Sequence, residues 1–212
     1  MVRSKPSLAV VFYDAKNTAM NMRKQNRNLF MVIAGTSVCV LFTASLLRFV
    51  LPASIINIYG DETLVGYIFS IMSAGTVLGG VCYTLLVRDS TPMQLMKSWM
   101  TYGLLFFAVS IAIKFNLISV FIIIFFLGFC GAIVDISIIT NIQSLSANCD
   151  IGKNYGVYST IANTCEAASG LVSGIFSLLV GGISFSIISL FIAMAAQTVI
   201  SRIKRVKHEK EK

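Results

Sequence analysis

Three ionisable side chains stand inside long apolar stretches of this sequence, where an unpaired charge is costly. They are Glu166, Asp135 and Arg48. A carboxylate taken out of water is easier to protonate, so Glu166 is a candidate for proton uptake and release or for contact with a cationic substrate. The alternative for Glu166 is a structural hydrogen bond, with Asn163 or with a serine of a neighbouring helix.

Asp135 and Arg48 have alternatives of the same kind. Asp135 is expected nearer the cytoplasmic end of its segment, where it either pairs with a base, faces an inward vestibule or is simply a polar residue near a wet helix end. Arg48 is expected near the outer end of its segment, where it can extend to the headgroups or face a cavity and meet Glu166 or an anionic substrate. Glu166 is expected near the bilayer midplane, at a different depth from Asp135. This difference argues against two carboxylates that share one proton, as in an aspartyl hydrolase.

Other catalytic chemistry has little support in the sequence. It contains no HExxH, GxSxG or phosphate-binding Gly-Lys loop, and its five cysteines lack the CxxC spacing of a zinc site. We therefore expect no enzyme activity, no cofactor and no bound metal.

The elements that carry the three ionisable residues are predicted to be membrane-spanning helices. The chain is 56% apolar and only 12% charged, too little polar surface to coat a water-soluble globule of 212 residues, and its mean hydropathy is +0.82. A spanning helix needs about 20 apolar residues. Six segments qualify: 29–51, 64–87, 93–113, 117–143, 155–180 and 183–203. They predict an all-α membrane domain over 29–203, with Glu166 near the bilayer midplane.

The basic residues predict the orientation of these spans, because Lys and Arg beside a span stay preferentially in the cytoplasm. Fifteen of the 17 fall on one side, which predicts that both termini lie on the cytoplasmic side of a cell membrane. Lys114 falls on the opposite side and Arg48 within a span. The net charge of +8 is then explained by topology, and nucleic acid is not expected as a partner. The fifteen are Arg3, Lys5, Lys16, Arg23, Lys24, Arg27, Arg88, Lys97, Lys153, Arg202, Lys204, Arg205, Lys207, Lys210 and Lys212.

Two charged segments flank the spans. Residues 1–28 carry apolar side chains at helical spacing, which predicts a basic amphipathic helix that lies on the inner membrane surface or packs against cytoplasmic loops of the bundle. Residues 204–212 are predicted to be a charged cytoplasmic tail. Five aromatic residues near predicted span ends are expected in the interfacial belt, although any of them could line a cavity: Tyr59, Tyr67, Trp99, Tyr102 and Tyr155.

Small residues indicate which helices pack closely. Gly75 and Gly79 in the second span, and Gly170 and Gly174 in the fifth, form small-xxx-small patterns that allow close backbone approach. Their similar positions suggest a repeat of three helices. Two such units of odd span number insert with opposite orientation, which is the inverted 3+3 architecture of many secondary transporters.

The order of features resembles the C-terminal half of a major facilitator superfamily (MFS) transporter, of the bacterial macrolide and siderophore efflux type. In that family an amphipathic mid-chain loop leads into a helix that ends at a proline near the outer surface, followed by a Gly-rich helix. Here the corresponding segments are SLAVVFYDAKNTAMNMRKQNRNLF and RFVLPASIINIYGDETLVGYIFSIMSAGTVLGG. The resemblance covers nearly the whole chain and implies proton-coupled efflux of a small amphiphilic or drug-like compound.

The same resemblance identifies candidate gating loops. VRDSTPMQLM keeps Arg88 and Asp89 of the family's Gly-Asp-Arg-Gly-Arg pattern. NIQSLSANCDIGKNYGVYST follows the family's Gln, polar loop and Gly-Arg-Val-Phe-Ser outline, although the arginines usual there are missing. Arg88, Asp89, Asn141 and Gln143 are therefore candidates for the cavity or for the loops that latch between states.

The resemblance also implies that something is missing, because MFS transporters enclose their substrate cavity between two six-helix halves. The chain is expected to work with a second half, which is either another copy in a homodimer or a separate polypeptide; a truncated product is the third possibility. The alternative function is a non-transporting membrane subunit with an immunity, assembly or regulatory role.

Overall fold

The computed structural model describes residue 22 and residues 26–86 and 90–210, with the backbone alone for 86 and 206–210. This part of the chain is all-helical and contains no strand. It forms six long helices: α1 (Arg27–Tyr59), α2 (Thr63–Leu86), α3 (Pro92–Ala112), α4 (Leu117–Leu145), α5 (Ile151–Val180) and α6 (Ser184–Lys210).

These helices have the length and apolar composition of membrane spans. Five stretches of the described chain qualify, and the last of them, Ile151–Arg205, is 55 residues long. That stretch contains a 3₁₀ turn at Gly181–Ile183 that separates α5 from α6, with Gly181 at a φ of 56°, a backbone conformation that favours glycine. The expectation of an all-α chain whose helices are long and apolar enough to span a membrane is confirmed.

The helices begin where the sequence supplies capping groups. Asn26 accepts a hydrogen bond from the Leu29 backbone N–H at 3.1 Å and so caps α1. Thr91 and Gln94 form a reciprocal capping box ahead of α3, with Pro92 in its first turn. Asn116 caps α4. These side chains satisfy backbone N–H groups that have no partner within their helices.

Helix α1 differs from the predicted first span, which was expected to end at residue 51. It continues through Pro52 to Tyr59 and ends at Gly60, whose φ is 68°. Proline cannot donate a backbone hydrogen bond, and its ring crowds the carbonyl four residues earlier, here that of Arg48. The chain accommodates this with a π-helical turn at Leu46–Val50, in which the Leu51 N–H bonds the Leu46 carbonyl. The helix therefore widens at Pro52 instead of stopping.

The other boundaries lie close to the predicted ones, except at two ends. Helix α5 begins at Ile151, four residues before the predicted start at 155. Helix α6 runs to Lys210, so the predicted charged tail continues the helix for most of its length. The amphipathic segment predicted over 1–28 lies outside the described residues, apart from 26–28 and Met22, which is buried.

The helices pack in a definite set of pairs. The most extensive contacts are those of α2 with α4 and of α3 with α6, followed by α1 with α5, α3 with α4, and α1 with α6. Helix α1 is the most buried of the membrane-length stretches and α2 the least. Helix α1 is therefore the central helix of the bundle.

Glycines set the distance between α2 and α4. A Cβ built on Gly75 or Gly79 would lie 2.0 or 2.4 Å from a backbone carbonyl oxygen of α4, and one on Gly128 of α4 would lie 1.9 Å from the Met72 carbonyl oxygen of α2. The two backbones thus cross in direct contact, as small-residue patterns allow. A Cβ built on Gly170 of α5 would lie 3.2 Å from the Phe49 ring.

Gly174 does not fit the packing expectation. A Cβ built on it would meet nothing within 4 Å. Four residues further along α5 than Gly170, it lies beyond the contact with Phe49, so its lack of a side chain does not bring two helices of the described bundle together.

Hydrogen bonds tie helix ends together at both ends of the bundle. At one end, the Asn26 side-chain amide donates to the Leu145 carbonyl at 2.7 Å, joining the start of α1 to the end of α4. At the other end, the Tyr59 hydroxyl donates to the Ile113 carbonyl at 3.0 Å, joining the ends of α1 and α3. Lys114 follows that contact directly.

Candidate functional site

A cavity of about 210 Å³ lies among α1, α3, α4 and α5 and contains all three ionisable residues singled out in the sequence. We call it the central cavity. Its lining residues are Val40, Thr43, Ala44, Leu47 and Arg48 of α1, Trp99 and Tyr102 of α3, Gly131, Val134 and Asp135 of α4, and Glu166 of α5.

Arg48 and Glu166 form an ion pair in this cavity, in which Arg48 Nη2 donates to Glu166 Oε2. Glu166 is the sixteenth of the 30 residues of α5 and so stands at the middle of the helix. Of the two alternatives for Arg48, contact with Glu166 is the one that the structure shows. The side chains remain 55% and 37% exposed, so both are open to solvent or ligand that enters the cavity.

A serine link fixes the backbones beside the pair. Ser45 of α1 donates to the Ser169 carbonyl of α5 at 2.8 Å, and Ser169 donates to the Glu166 carbonyl at 2.6 Å. Both serines are almost completely buried. The link holds the two helices in register at the level of the ion pair.

Arg48 owes its position to the π-helical turn. It is the third residue of Leu46–Val50 and is the residue whose carbonyl loses its normal donor to Pro52. π-helical turns inside α-helices occur frequently at functional sites. Here the turn lies against α5, and this contact places Arg48 opposite Glu166.

Asp135 brings a second carboxylate into the central cavity. It is exposed there and lies near enough to Glu166 for their charges to interact. Among the described residues it has neither a hydrogen-bond nor an ion-pair partner. Asp135 and Glu166 were expected at different depths, yet both line this one cavity. Helix α4 has 29 residues, more than a perpendicular span needs, so the position of Asp135 along the sequence does not fix its depth in a bilayer.

Two wall residues have polar atoms that the described protein leaves unpaired. They are the Trp99 indole Nε1 and the Thr43 hydroxyl, both buried. Native proteins leave few such groups without a partner, and each one needs an explanation such as a water or a ligand. Trp99 is only 3% exposed and stacks edge-on with Tyr102 at 5.8 Å between ring centroids.

Tyr102 has room in the wall because Gly131 lies opposite it. A Cβ on Gly131 would come within 3.3 Å of the Tyr102 hydroxyl oxygen. Trp99 and Tyr102 were expected either in the interfacial belt or in a cavity lining, and they are buried in the cavity wall. Tyr67 and Tyr155 are exposed and do not line the cavity. The spacing of three residues between Trp99 and Tyr102, continued by Phe106, marks one face of α3 and is the signal that could have identified them.

The charges of the central cavity favour a cation or a proton. When Asp135 and Glu166 are both ionised, the described lining of the cavity has a net charge of −1, because Arg48 is its single cation. Binding of one proton brings the net charge to zero. Since Arg48 already pairs with Glu166, Asp135 is the carboxylate open to a cation. Protonation of Glu166 would release Arg48 to a different partner, so occupancy, protonation and the ion pair are linked.

Asn141 and Gln143, two of the candidate gating residues, lie outside the central cavity. Asn141 is fully buried away from the cavity, and its side-chain amide donates to the Ser90 hydroxyl and to the Ser137 carbonyl, both at 2.8 Å. It ties α4 to the segment before α3. Gln143 is exposed on α4 and does not line the central cavity. Arg88 and Asp89 lie outside the described residues.

Replacing Trp99 by phenylalanine should weaken ligand binding without unfolding the protein. The change removes an N–H that has no described partner, so little native bonding is lost, whereas a ligand that accepts from it loses a hydrogen bond worth about 1 kcal/mol, or about fivefold in affinity. Calorimetric titration of both proteins with an amphiphilic cation that carries an acceptor oxygen, such as rhodamine 6G, measures the difference in affinity. Equal affinities would show that the indole N–H faces no ligand.

No family model, curated protein or solved structure matches this chain.

Proposed function

We propose that the chain is a six-span membrane protein that forms one half of a proton-coupled carrier for small amphiphilic cations, with the central cavity as its binding site. The observation that carries this proposal is the convergence of Arg48, Asp135 and Glu166, from three different helices, on one cavity. Ionisable groups within membrane helices mark substrate and proton pathways.

The packing pairs support an inverted repeat of α1–α3 and α4–α6. If α1, α2 and α3 are exchanged with α4, α5 and α6, the α2–α4 pair becomes α5–α1 and the α3–α4 pair becomes α6–α1, both of which are major contacts. The α3–α6 pair maps onto itself. This agreement supports the 3+3 architecture of an MFS-type half, in which sites lie at the repeat interface.

The same helices leave apolar surface for a second half. Exposed side chains on α2 include Val77 and Leu85, and those on α5 include Leu171 and Leu178. These two helices are equivalent under the proposed repeat, so their exposed faces are a candidate contact with a second six-helix unit. That unit is a second copy or a separate polypeptide.

The predicted topology can be tested with a native cysteine. Cys149 is exposed in the α4–α5 turn, and Asn57→Cys would add a thiol at the other end of the bundle. In intact cells, a membrane-impermeant maleimide should label Asn57→Cys but not Cys149, and permeabilisation should make both reactive. Labelling of Cys149 in intact wild-type cells would contradict cytoplasmic termini.

Ligand binding can be measured through Trp99, which is the only tryptophan of the chain. Tetraphenylphosphonium, an amphiphilic monovalent cation, should change its fluorescence saturably, and affinity should fall at acidic pH because protons neutralise the carboxylates. The double variant Asp135→Asn with Glu166→Gln should lose the response. A wild-type protein that gives no saturable change would favour the non-transporting alternative.

A further inference from the structure

A second cavity, of about 360 Å³, lies between α3 and α4 on a different face from the central cavity. We call it the α3–α4 groove. Ser98 and Cys130 line it, whereas their sequence neighbours Trp99 and Gly131 line the central cavity. The polar lining residues on which the argument rests are Ser90, Gln94 and Lys97.

Hydrogen bonds within the protein leave this groove rich in donors. The Gln94 side-chain oxygen is occupied by the Thr91 N–H and hydroxyl at 2.9 and 3.0 Å, which leaves its Nε2 to donate. The Ser90 hydroxyl oxygen accepts from Asn141, which leaves its hydrogen to donate. Lys97 adds an ammonium group with three donors.

Lys97 gives the described lining of the groove a net positive charge. None of the described residues that line it is acidic, and the Lys97 ammonium has no partner among the described residues. This is the reverse of the central cavity, where carboxylates are in excess. An anion with several acceptor oxygens, such as a phosphate group, complements the groove.

An apolar stripe continues from the groove toward the other end of the bundle. On α4, exposed Phe126, Ile122 and Ile118 follow at helical spacing from lining residue Cys130. On α3, Leu104 is exposed one turn beyond the lining residue Thr101. Since α3 and α4 are antiparallel neighbours, the row on α4 and Leu104 on α3 flank one strip of surface that suits an acyl chain.

The depth of Lys97 fits a lipid headgroup. It lies five residues after Pro92 at the start of α3, about 7.5 Å along the helix axis at 1.5 Å per residue. A long basic side chain at that level reaches the phosphates of the adjoining leaflet. Basic pockets between membrane helices are known to bind anionic headgroups.

We infer that the α3–α4 groove binds one anionic phospholipid, with its phosphate against Lys97, Gln94 and Ser90 and an acyl chain along the stripe. This site does not depend on the proposed transport function. A free phosphate ester would share the donors but gain nothing from the apolar stripe.

Native mass spectrometry of the purified full chain tests this site. In detergent with equimolar phosphatidylglycerol and phosphatidylcholine, the chain should retain phosphatidylglycerol, and millimolar glycerol 3-phosphate should not displace it. Lys97→Gln should lower retention about tenfold, since a charge-assisted contact is lost. Lys153→Gln is the control, because Lys153 is an exposed lysine at the same end of the bundle but outside the groove.

Equal retention of both lipids, an equal effect of the two lysine variants, or full displacement by glycerol 3-phosphate would each overturn the inference. If Lys97→Gln does not fold, Gln94→Glu provides a second variant. It places a carboxylate in the groove and should reduce phosphatidylglycerol retention; unchanged retention would again contradict the site.

Discussion

Replacement of Glu166 by glutamine should reduce flux driven by a pH gradient at least tenfold. The amide cannot bind or release a proton in the working pH range, so the step that couples the gradient to the cavity is lost. The measurement is uptake of a fluorescent amphiphilic cation into vesicles of the cell's own membrane, which retain any separate second half. Glu62→Gln is the matched control, because Glu62 is an exposed glutamate in the α1–α2 loop.

The double variant Arg48→Gln with Glu166→Gln distinguishes two roles of Glu166, which either carries the coupled proton or only neutralises Arg48. If Glu166 only neutralises Arg48, removing both charges creates no new unpaired charge, and flux should return. If Glu166 carries the proton, flux stays lost although the bundle is folded. Unchanged flux in Glu166→Gln alone would eliminate Glu166 as the coupling group.

The second large effect is expected at the α2–α4 crossing, where two adjacent glycines should respond with opposite signs. Gly79→Ala would place a methyl 2.4 Å from the Phe129 carbonyl oxygen, a backbone atom that cannot move away alone. We expect a loss of about 3 kcal/mol or more in the free energy of unfolding, at the upper end of overpacking effects. Gly80→Ala meets nothing within 4 Å and should stabilise α2 by about 0.5–1 kcal/mol.

Thermal unfolding in detergent, followed by circular dichroism, measures this contrast. Gly128→Ala probes the same crossing from α4 and should behave like Gly79→Ala, because its Cβ would lie 1.9 Å from the Met72 carbonyl oxygen. Similar unfolding temperatures for Gly79→Ala and Gly80→Ala would show that the two helices do not cross in contact.

Hydropathy alone predicts most of the helix boundaries to within a few residues, because they depend on the local sequence. The start of α4 at Leu117, after the Asn116 cap, and the end of α5 at Val180, before Gly181, fall at the predicted residues. The end of α1 does not. Pro52 was taken as a stop, but whether a proline ends a helix depends on whether neighbouring turns can absorb it, which the local sequence does not reveal.

The candidate site is predictable in part for a similar reason. Glu166, Asp135 and Arg48 are conspicuous because each is an ionisable group in an apolar stretch. The sequence places such residues along a helix but does not say which faces meet, so their convergence had to come from the structure. Trp99, Tyr102 and Thr43 carry no charge, so only the shared helix face of Trp99 and Tyr102 distinguishes any of them in the sequence from residues that merely pack helices together.

The π-helical turn at Leu46–Val50 has a consequence for the evolution of this chain. A π turn holds one more residue than the α-helical turn that it replaces, and one residue corresponds to about 100° of helix rotation. Deleting a single residue there would leave the segments 27–45 and 53–59 facing the same neighbours as before. Homologues that are one residue shorter at this point and lack the proline should therefore keep the bundle while losing the Arg48–Glu166 pair. In an alignment, a one-residue gap here would indicate a changed cavity.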